Sequence, residues 1–430
     1  MLIRFRESNF RSIRDTQELS LVANSREDRE DVFHDEATGL DLLRVAAIYG
    51  ANAAGKTNVL GALEFLQKAV RDSHAKWKPE DPIPWEPFLL DPESRTRPTS
   101  FEVDFLLGGA RYQYGLEFDA ERVRREWLHA YPSQRRQVWF DRDAGAAEPF
   151  TFGKHLKGNN RTIESLTRKN SLFLSVAAAN NHQALLPVYL WFVENLKFLA
   201  PGDRSTQYAL HWLSEGGEER RGRVLSLLRL ADLGIVGLEV RQEPIPWLTE
   251  EFNWVKIFQE QQLDGLAELK ELADRGNPKL VLHHQSRGGA VPFVLENESH
   301  GTQAWLSLAG ALLNALDNGG TLSVDELDGS LHPHLCFELL RLFQDPAWNP
   351  KGAQLIFNTH DTTLLGNLLG EPGLHRDQVW FVEKDSEGAT HLYPLTDFSP
   401  RKDENLERGY LQGRYGAIPF IEPSSWSADA

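Results

Sequence analysis

Gly50-Ala51-Asn52-Ala53-Ala54-Gly55-Lys56-Thr57 decides how this chain folds. It matches G-x-x-x-x-G-K-[ST], a loop whose glycines let backbone N–H groups curl around phosphates. In such a loop Lys56 reaches the β and γ oxygens, and the Thr57 hydroxyl can hold Mg²⁺. The flanks agree. Leu42 to Tyr49 reads as a short buried strand, and Asn58 to Val70 as a helix with Leu60, Leu63, Leu66 and Val70 on one face. A strand, a glycine-rich turn and a helix N-terminus together make an anion site.

Working outward, a phosphate loop needs a partner for the cation and a group to activate water. Leu322-Ser323-Val324-Asp325-Glu326 is a short apolar strand ending in two acids. Asp325 can hold Mg²⁺, and Glu326 can polarise the attacking water as general base. Gln354-Leu355-Ile356-Phe357-Asn358-Thr359-His360 is a second buried strand ending in a polar turn. It sets His360 at the carboxyl edge of a sheet, where ligands bind in open α/β folds. A histidine there can meet the γ-phosphate or the attacking water, so Glu326, His360 and Lys56 form the candidate catalytic set.

The rest of the chain alternates in a way that supports an α/β fold. Leu2 to Phe10 and Gln17 to Val22 read as strands, and residues 24–41 as a polar loop. Residues 78–100 are proline-rich and read as an extended linker. Phe101 to Phe118 alternates about Gly108-Gly109 as a hairpin, and Glu126 to Phe140 continues the β pattern. Ser171 to Ala179 and Leu185 to Leu199 look helical. Residues 203–280 carry Leu, Glu and Arg at helical spacing, as in Val224 to Leu230 and Leu263 to Leu272. A hairpin about Gly288-Gly289 follows. Then come a helix (Thr302 to Leu316), a strand (Thr321 to Val324), a helix (His332 to Phe343), the strand before His360, a helix about Thr362 to Leu368, and a strand (Gln378 to Val382). The domain reading is an N-terminal lobe over 1–200, a mainly helical insertion over 201–285, and a C-terminal lobe over 286–430.

Composition narrows the class. The chain of 430 residues is 41% hydrophobic and 25% charged, ordinary values for a globular protein with a large core. A net charge of −16 argues against a broad nucleic-acid surface but leaves room for a local one at Arg122-to-Arg125 or Arg220-to-Arg223. Cys336 is the single cysteine, which excludes a disulfide framework within the chain and fits a reducing cytosol. The opening MLIRFRESNF lacks the apolar core of a signal peptide, and no apolar run approaches the ~18–20 residues that cross a bilayer. A cytoplasmic, non-membrane protein is expected. His332-Pro333-His334 has too few ligands at i, i+2 for a metal centre.

The order of GANAAGKT, Glu298-Ser299-His300-Gly301-Thr302-Gln303, VDELDGSLHP and FNTH resembles the ATP-binding-cassette-type heads of the SMC/RecF/OLD group. Asn9-Phe10-Arg11-Ser12 is similar to the N-F-[RK]-S segment of those heads. The whole chain, including Gly409 to Pro419, resembles bacterial RecF-like AAA family ATPases often encoded beside an RloB-like partner in phage defence. The resemblance implies an ABC-type P-loop NTPase head with an N-terminal antiparallel β subdomain and an inserted, mainly helical subdomain. It implies ATP and Mg²⁺ as ligands, with Gly50, Asn52, Gly55, Lys56 and Thr57 shaping the phosphate loop, Thr57 and Asp325 on the metal, and Arg11 and Ser12 approaching the nucleotide. Ser299 and Gly301 fall where such heads bind the γ-phosphate held by another subunit; a helix N-cap accounts for the same residues. A homodimer or higher homo-oligomer and a separate effector, RloB-like or another nuclease, are implied as partners. Two other roles stay open: a RecF/SMC-like DNA-repair ATPase, and an ATP-bound oligomeric scaffold that sequesters a toxin. The sequence departs from the family in its S-H-G-T-Q segment, in lacking an evident metal-contacting glutamine, and in an insertion too short for a long coiled coil.

Overall fold

The computed structural model describes residues 1–24, 29–200, 207–231, 234–243, 277–329, 331–368, 370–401 and 404–419. The chain divides into two units, Met1–Pro201 with Ala315–Ala430, and Gly202–Asn314.

Two large sheets form most of the first unit. An antiparallel sheet holds β1 (Leu2–Ser8) and β2 (Gln17–Ser20) at one edge, followed by β6 (Thr99–Leu107), β7 (Ala110–Phe118), β8 (Val123–Tyr131), β9 (Gln137–Asp143) and β10 (Phe150–Phe152). Strict alternation in these strands turns Phe5, Phe101, Val103, Phe105, Tyr114, Leu116, Leu128 and Phe140 to one face, where all are buried. That face receives α1 (Lys56–Asp72) together with α3 (Phe173–Ala179) and α4 (Leu186–Asn195), the short α2 (Asn160–Leu166) lying beside them. Phe65 of α1 stacks on Phe118 at 5.2 Å, and Phe105 stacks on Trp191 of α4 at 4.0 Å. The helix-spaced leucines of α1 therefore bind the phosphate loop's helix to a large aromatic core.

The second sheet carries the candidate site. Its order is β11 (Leu196–Leu199), β15 (Thr321–Val324), β16 (Gln354–Asn358), β5 (Val45–Gly50), β17 (Val379–Lys384) and β18 (Thr390–Pro394). The first five run parallel and β18 is antiparallel. Every residue of β5, β15 and β16 is buried, as expected of parallel strands covered on both faces. The register sets Ile48 against Asn358 and Phe357 against Val324, so the three strands end nearly level. The loops after them leave from one edge.

Several boundaries differ from the sequence reading. The run Leu42 to Tyr49 is two strands: β4 (Leu40–Leu43) pairs with β3 (Val32–Asp35) as a hairpin, and only from Val45 does the chain join the parallel sheet. That hairpin occupies part of the stretch expected to be loop. Leu196–Leu199 was expected to extend a helix but pairs in parallel with β15, because a run of four residues is too short for periodicity to tell a strand from a helix end. Thr362–Leu365 is a single 3₁₀ turn, capped by Asp361 accepting from Thr363 N–H at 3.0 Å and ended by Gly366. Helix α7 (Pro333–Gln344) lies close to expectation. A short helix α8 (Leu406–Leu411), unforeseen in the sequence, joins the 3₁₀ turn through Thr362 Oγ1 donating to Glu407 at 3.2 Å.

In the second unit, α5 (Gln207–Leu230) breaks at Gly217, whose φ of 61° is left-handed. Strands β12 (Ile235–Glu243), β13 (Asn277–Ser286) and β14 (Gly289–Val294) form an antiparallel sheet, and α6 (His300–Asn318) follows. Buried Trp305 donates to Leu227 O at 3.1 Å. The strand β12 lies within the segment expected to be helical, its Ile235, Leu238 and Val240 pairing onto β13. The expected helical stretch Leu263 to Leu272 lies outside the described residues. Among the described residues no helix is long and apolar enough to cross a membrane.

Candidate functional site

The loop after β5 turns through Gly55, whose φ of 114° only glycine adopts readily. A Cβ there would strike the Thr390 side chain of β18 and approach Ser12 Oγ at 3.0 Å. The close approach is held by hydrogen bonds. Thr390 Oγ1 donates to Ala54 O at 2.8 Å, Asn58 Nδ2 donates to Ser12 Oγ at 2.7 Å, and Thr390 N–H donates to Ser12 O at 2.7 Å. Ser12, which the family resemblance brings toward nucleotide, is thus a fastening of the phosphate loop. Arg11 pairs with Glu86 and packs over the Phe10 ring at 4.9 Å. Arg11 and Ser12 also line a cavity of about 510 Å³ with Trp85, Phe88, Lys384 and Gly388. Asn52 is exposed on the loop.

Lys56 is 7% exposed. Its ammonium donates to Gly50 O at 2.8 Å, to Ala51 O at 3.1 Å and to His360 Nε2 at 3.0 Å. Burial pulls its pKa below the ordinary lysine value, against the opposing pull of Glu326, Asp325 and Asp328. Burial also lowers the pKa of His360, and the Lys56 ammonium lowers it further. Since the ammonium can only donate, Nε2 accepts and the ring proton belongs on Nδ1 of a neutral imidazole.

Thr57 Oγ1 donates to Asp325 Oδ1 at 3.0 Å. The same oxygen receives Asn358 Nδ2, and Asn358 Oδ1 accepts from Glu326 N–H at 2.5 Å. Asp325 is buried, whereas Glu326 is exposed and holds a left-handed φ of 55°. Non-glycine residues in that region concentrate at functional sites. Asp328 accepts from Thr359 Oγ1 at 2.6 Å and from His360 N–H at 3.2 Å, tying the turn after β15 to the turn after β16.

Six residues found in the sequence, Gly50, Gly55, Lys56, Thr57, Asp325 and His360, are thus brought together at one sheet edge, with Glu326 beside them. Asn358, Thr390, Asn58 and Asp328 were not assigned to this site from sequence. Only Asn358 carried a signal, an amide at the end of an otherwise apolar strand. The donor set suits a hard cation, with a hydroxyl and a carboxylate oxygen side by side. A cavity of about 150 Å³ touches both, lined also by Arg11, Gly61 and Leu199.

In the second unit Ser299 Oγ accepts from Thr302 N–H at 3.1 Å, the N-cap bond of α6. Ser299 is exposed, and Glu298 beside it pairs with His284 at 2.7 Å. His332 caps α7 in the same manner, its Nδ1 accepting from His334 N–H at 3.3 Å.

A family model described as "AAA domain, putative AbiEii toxin, Type IV TA system" matches residues 45–366, three quarters of the chain, including the phosphate loop and the turns after β15 and β16. The chain belongs to this family. Its α/β fold sets the phosphate loop between β5 and α1 at the edge of a mostly parallel sheet. Solved structures similar to it include an Smc head bound to the C-winged helix domain of ScpA, at 12% identity and a TM-score of 0.38, covering 91% of this chain and 96% of that one. Another is an Smc head domain with an extended coiled coil bound to the C-terminal domain of ScpA from Pyrococcus furiosus, at 11% identity and a TM-score of 0.38, covering 96% and 98%. No curated protein matches the chain.

Proposed function

We propose that this family member is an ATP-hydrolysing switch that closes as a dimer around two nucleotides and controls a separate effector, a nuclease of the RloB-like or another kind, in antiphage defence. The observation that carries the ATPase reading is the convergence of Lys56, Thr57, Asp325, Glu326 and His360 at one sheet edge, linked by Lys56–His360 and Thr57–Asp325 bonds of 3.0 Å each. The glycine-cradled N–H groups of the loop and the start of α1 would receive the β and γ phosphates. Lys56 would exchange its bonds to Gly50 O and Ala51 O for phosphate oxygens. Thr57 and Asp325 would hold Mg²⁺, which would supply neutralisation of the phosphate charge.

Glu326 would act as the base. A water oxygen bonds to the γ-phosphorus, the bond to the β,γ-bridging oxygen breaks, the water proton passes to the Glu326 carboxylate, and ADP leaves with inorganic phosphate. Neutral His360 would orient that water or donate to a γ-oxygen. Glu326 and His360 both stand exposed, an arrangement suited to completion by a second subunit. In this reading Ser299 and Gly301, at an exposed helix N-terminus, supply the covering N–H groups in trans. Residues 1–200 and 286–430 act as the head, and 201–285 passes its motion to the partner in the cytoplasm.

The family description names a toxin of a toxin–antitoxin system. A second reading is an ATP-bound scaffold that keeps a toxic partner captive, and the family description, which applies the word toxin to the domain itself, does not decide between the two. The acidic net charge of −16 weighs against a DNA-repair head. Mg²⁺-dependent phosphate release by the wild-type chain, lost in Lys56→Ala, tests the ATPase reading. Rapid turnover with loss of the partner on hydrolysis would separate the switch from the scaffold.

A further inference from the structure

We propose that Asn358 is a positioning residue for hydrolysis, one buried amide that sets both the cation-binding carboxylate of Asp325 and the backbone of Glu326. The inference rests on the hydrolytic reading above. Asn358 ends β16 and is fully buried, as are Leu355, Ile356 and Phe357 before it. Asparagine is a poor strand former, and a buried amide is costly unless its polar atoms are bonded. Its bonds are made to the next strand's turn. Nδ2 donates to Asp325 Oδ1 and Oδ1 accepts from Glu326 N–H at 2.5 Å. Only this orientation works, because a carboxylate can only accept and a backbone N–H can only donate.

The backbone carbonyl of Asn358 also accepts from Leu327 N–H at 3.1 Å. Asp325, Glu326 and Leu327 are thus all tied to one residue of the neighbouring strand. Two consequences follow for chemistry. Asp325 Oδ1 takes hydrogen bonds from Thr57 and Asn358. Among the described residues its Oδ2 takes none, so that oxygen would be the one left to bind a cation. Meanwhile the left-handed φ of Glu326, 55°, is held by the bond from its N–H to Asn358 and by Gly329 N–H donating to Glu326 O at 2.9 Å. Without the amide, the carboxylate could rotate and the strained residue relax, moving both the cation site and the base. Of the phosphate-loop contacts, only the Thr57–Asp325 bond would be disturbed, and the Lys56 bonds to Gly50 O, Ala51 O and His360 would remain.

The full chain with Asn358→Ala tests this against wild type in three measurements: steady-state ATP hydrolysis, Mn²⁺ affinity in the presence of a non-hydrolysable ATP analogue by electron paramagnetic resonance, and melting temperature. Outer-sphere partners of metal ligands are commonly worth about 10–100-fold in affinity or activity. The expected result is a kcat lower by about that factor, a KM for ATP within about threefold of wild type, and Mn²⁺ binding about tenfold weaker. A residue that merely supports the fold would lower the melting temperature and leave kcat and Mn²⁺ affinity of the folded protein unchanged, and that outcome overturns the proposal. Should Asn358→Ala fail to fold, Asn358→Asp keeps the shape and the acceptor for Glu326 N–H but turns a carboxylate toward Asp325. A folded Asp variant with wild-type kcat and Mn²⁺ affinity would also overturn it. If wild type itself releases no phosphate, the hydrolytic reading fails, while the Mn²⁺ comparison still decides whether Asn358 sets Asp325.

Discussion

Replacing Glu326 with glutamine should separate binding from turnover. The backbone of Glu326 is fixed by Asn358 and by Gly329, with bonds of 2.5 and 2.9 Å, and neither depends on its side chain. The side chain is exposed, and among the described residues its carboxylate accepts no hydrogen bond. Gln has the same length and branching, so stability should change by less than about 0.5 kcal/mol. Lys56, Thr57 and Asp325 are undisturbed, so affinity for Mg-ATP should stay within about threefold of wild type. What is lost is the proton acceptor. General-base catalysis contributes about 10²–10⁴-fold, or ~3–5 kcal/mol of barrier. Phosphate release at saturating Mg-ATP, read beside calorimetric nucleotide binding, would measure both quantities. A Glu326→Gln protein that binds ATP normally and turns over at the wild-type rate would refute the assignment of this residue as base.

Three further outcomes follow from the geometry. Lys56→Met removes three bonds of a buried ammonium and should weaken nucleotide binding by at least ~2–3 kcal/mol, about 30- to 150-fold, in a fluorescent-nucleotide titration; the loss of its charge should also raise the pKa of His360 in an NMR titration. Gly55→Ala, at φ 114° and against Thr390, should abolish nucleotide binding while the rest of the chain still melts cooperatively, which calorimetry can check. Burial, with Arg136 and Arg125 nearby, brings the His129 pKa down to about 4. Between pH 6.5 and 4 the unfolded chain therefore binds the proton that the folded chain refuses, and stability falls as pH falls through that window. His129→Gln should flatten the dependence of melting temperature on pH there, and an unchanged slope would contradict it.

The parts of the fold that were legible in sequence are those where one local rule decides. Gly50 to Thr57 carries its own chemistry, and β15 and β16 are apolar runs bounded by polar turns, read to the residue. What escaped depends on partners far along the chain. The strand Leu196–Leu199 exists because β15 offers an edge to it, and β18 because β17 does. The fastening of Ser12 to Asn58 and Thr390 joins residues 46 and 378 positions apart, which no spacing rule anticipates. The sequence reading gives Ser299 two roles, and its bond to Thr302 N–H accounts for one of them within a single chain.

The central claim is that ATP closes two copies of this chain around two nucleotides. Light scattering of the Glu326→Gln protein, with and without Mg-ATP, tests it most directly. The account predicts a smaller species without nucleotide and a dimer or a multiple of it with Mg-ATP, reversed by Ser299→Arg. A mass that stays monomeric at saturating Mg-ATP would contradict it.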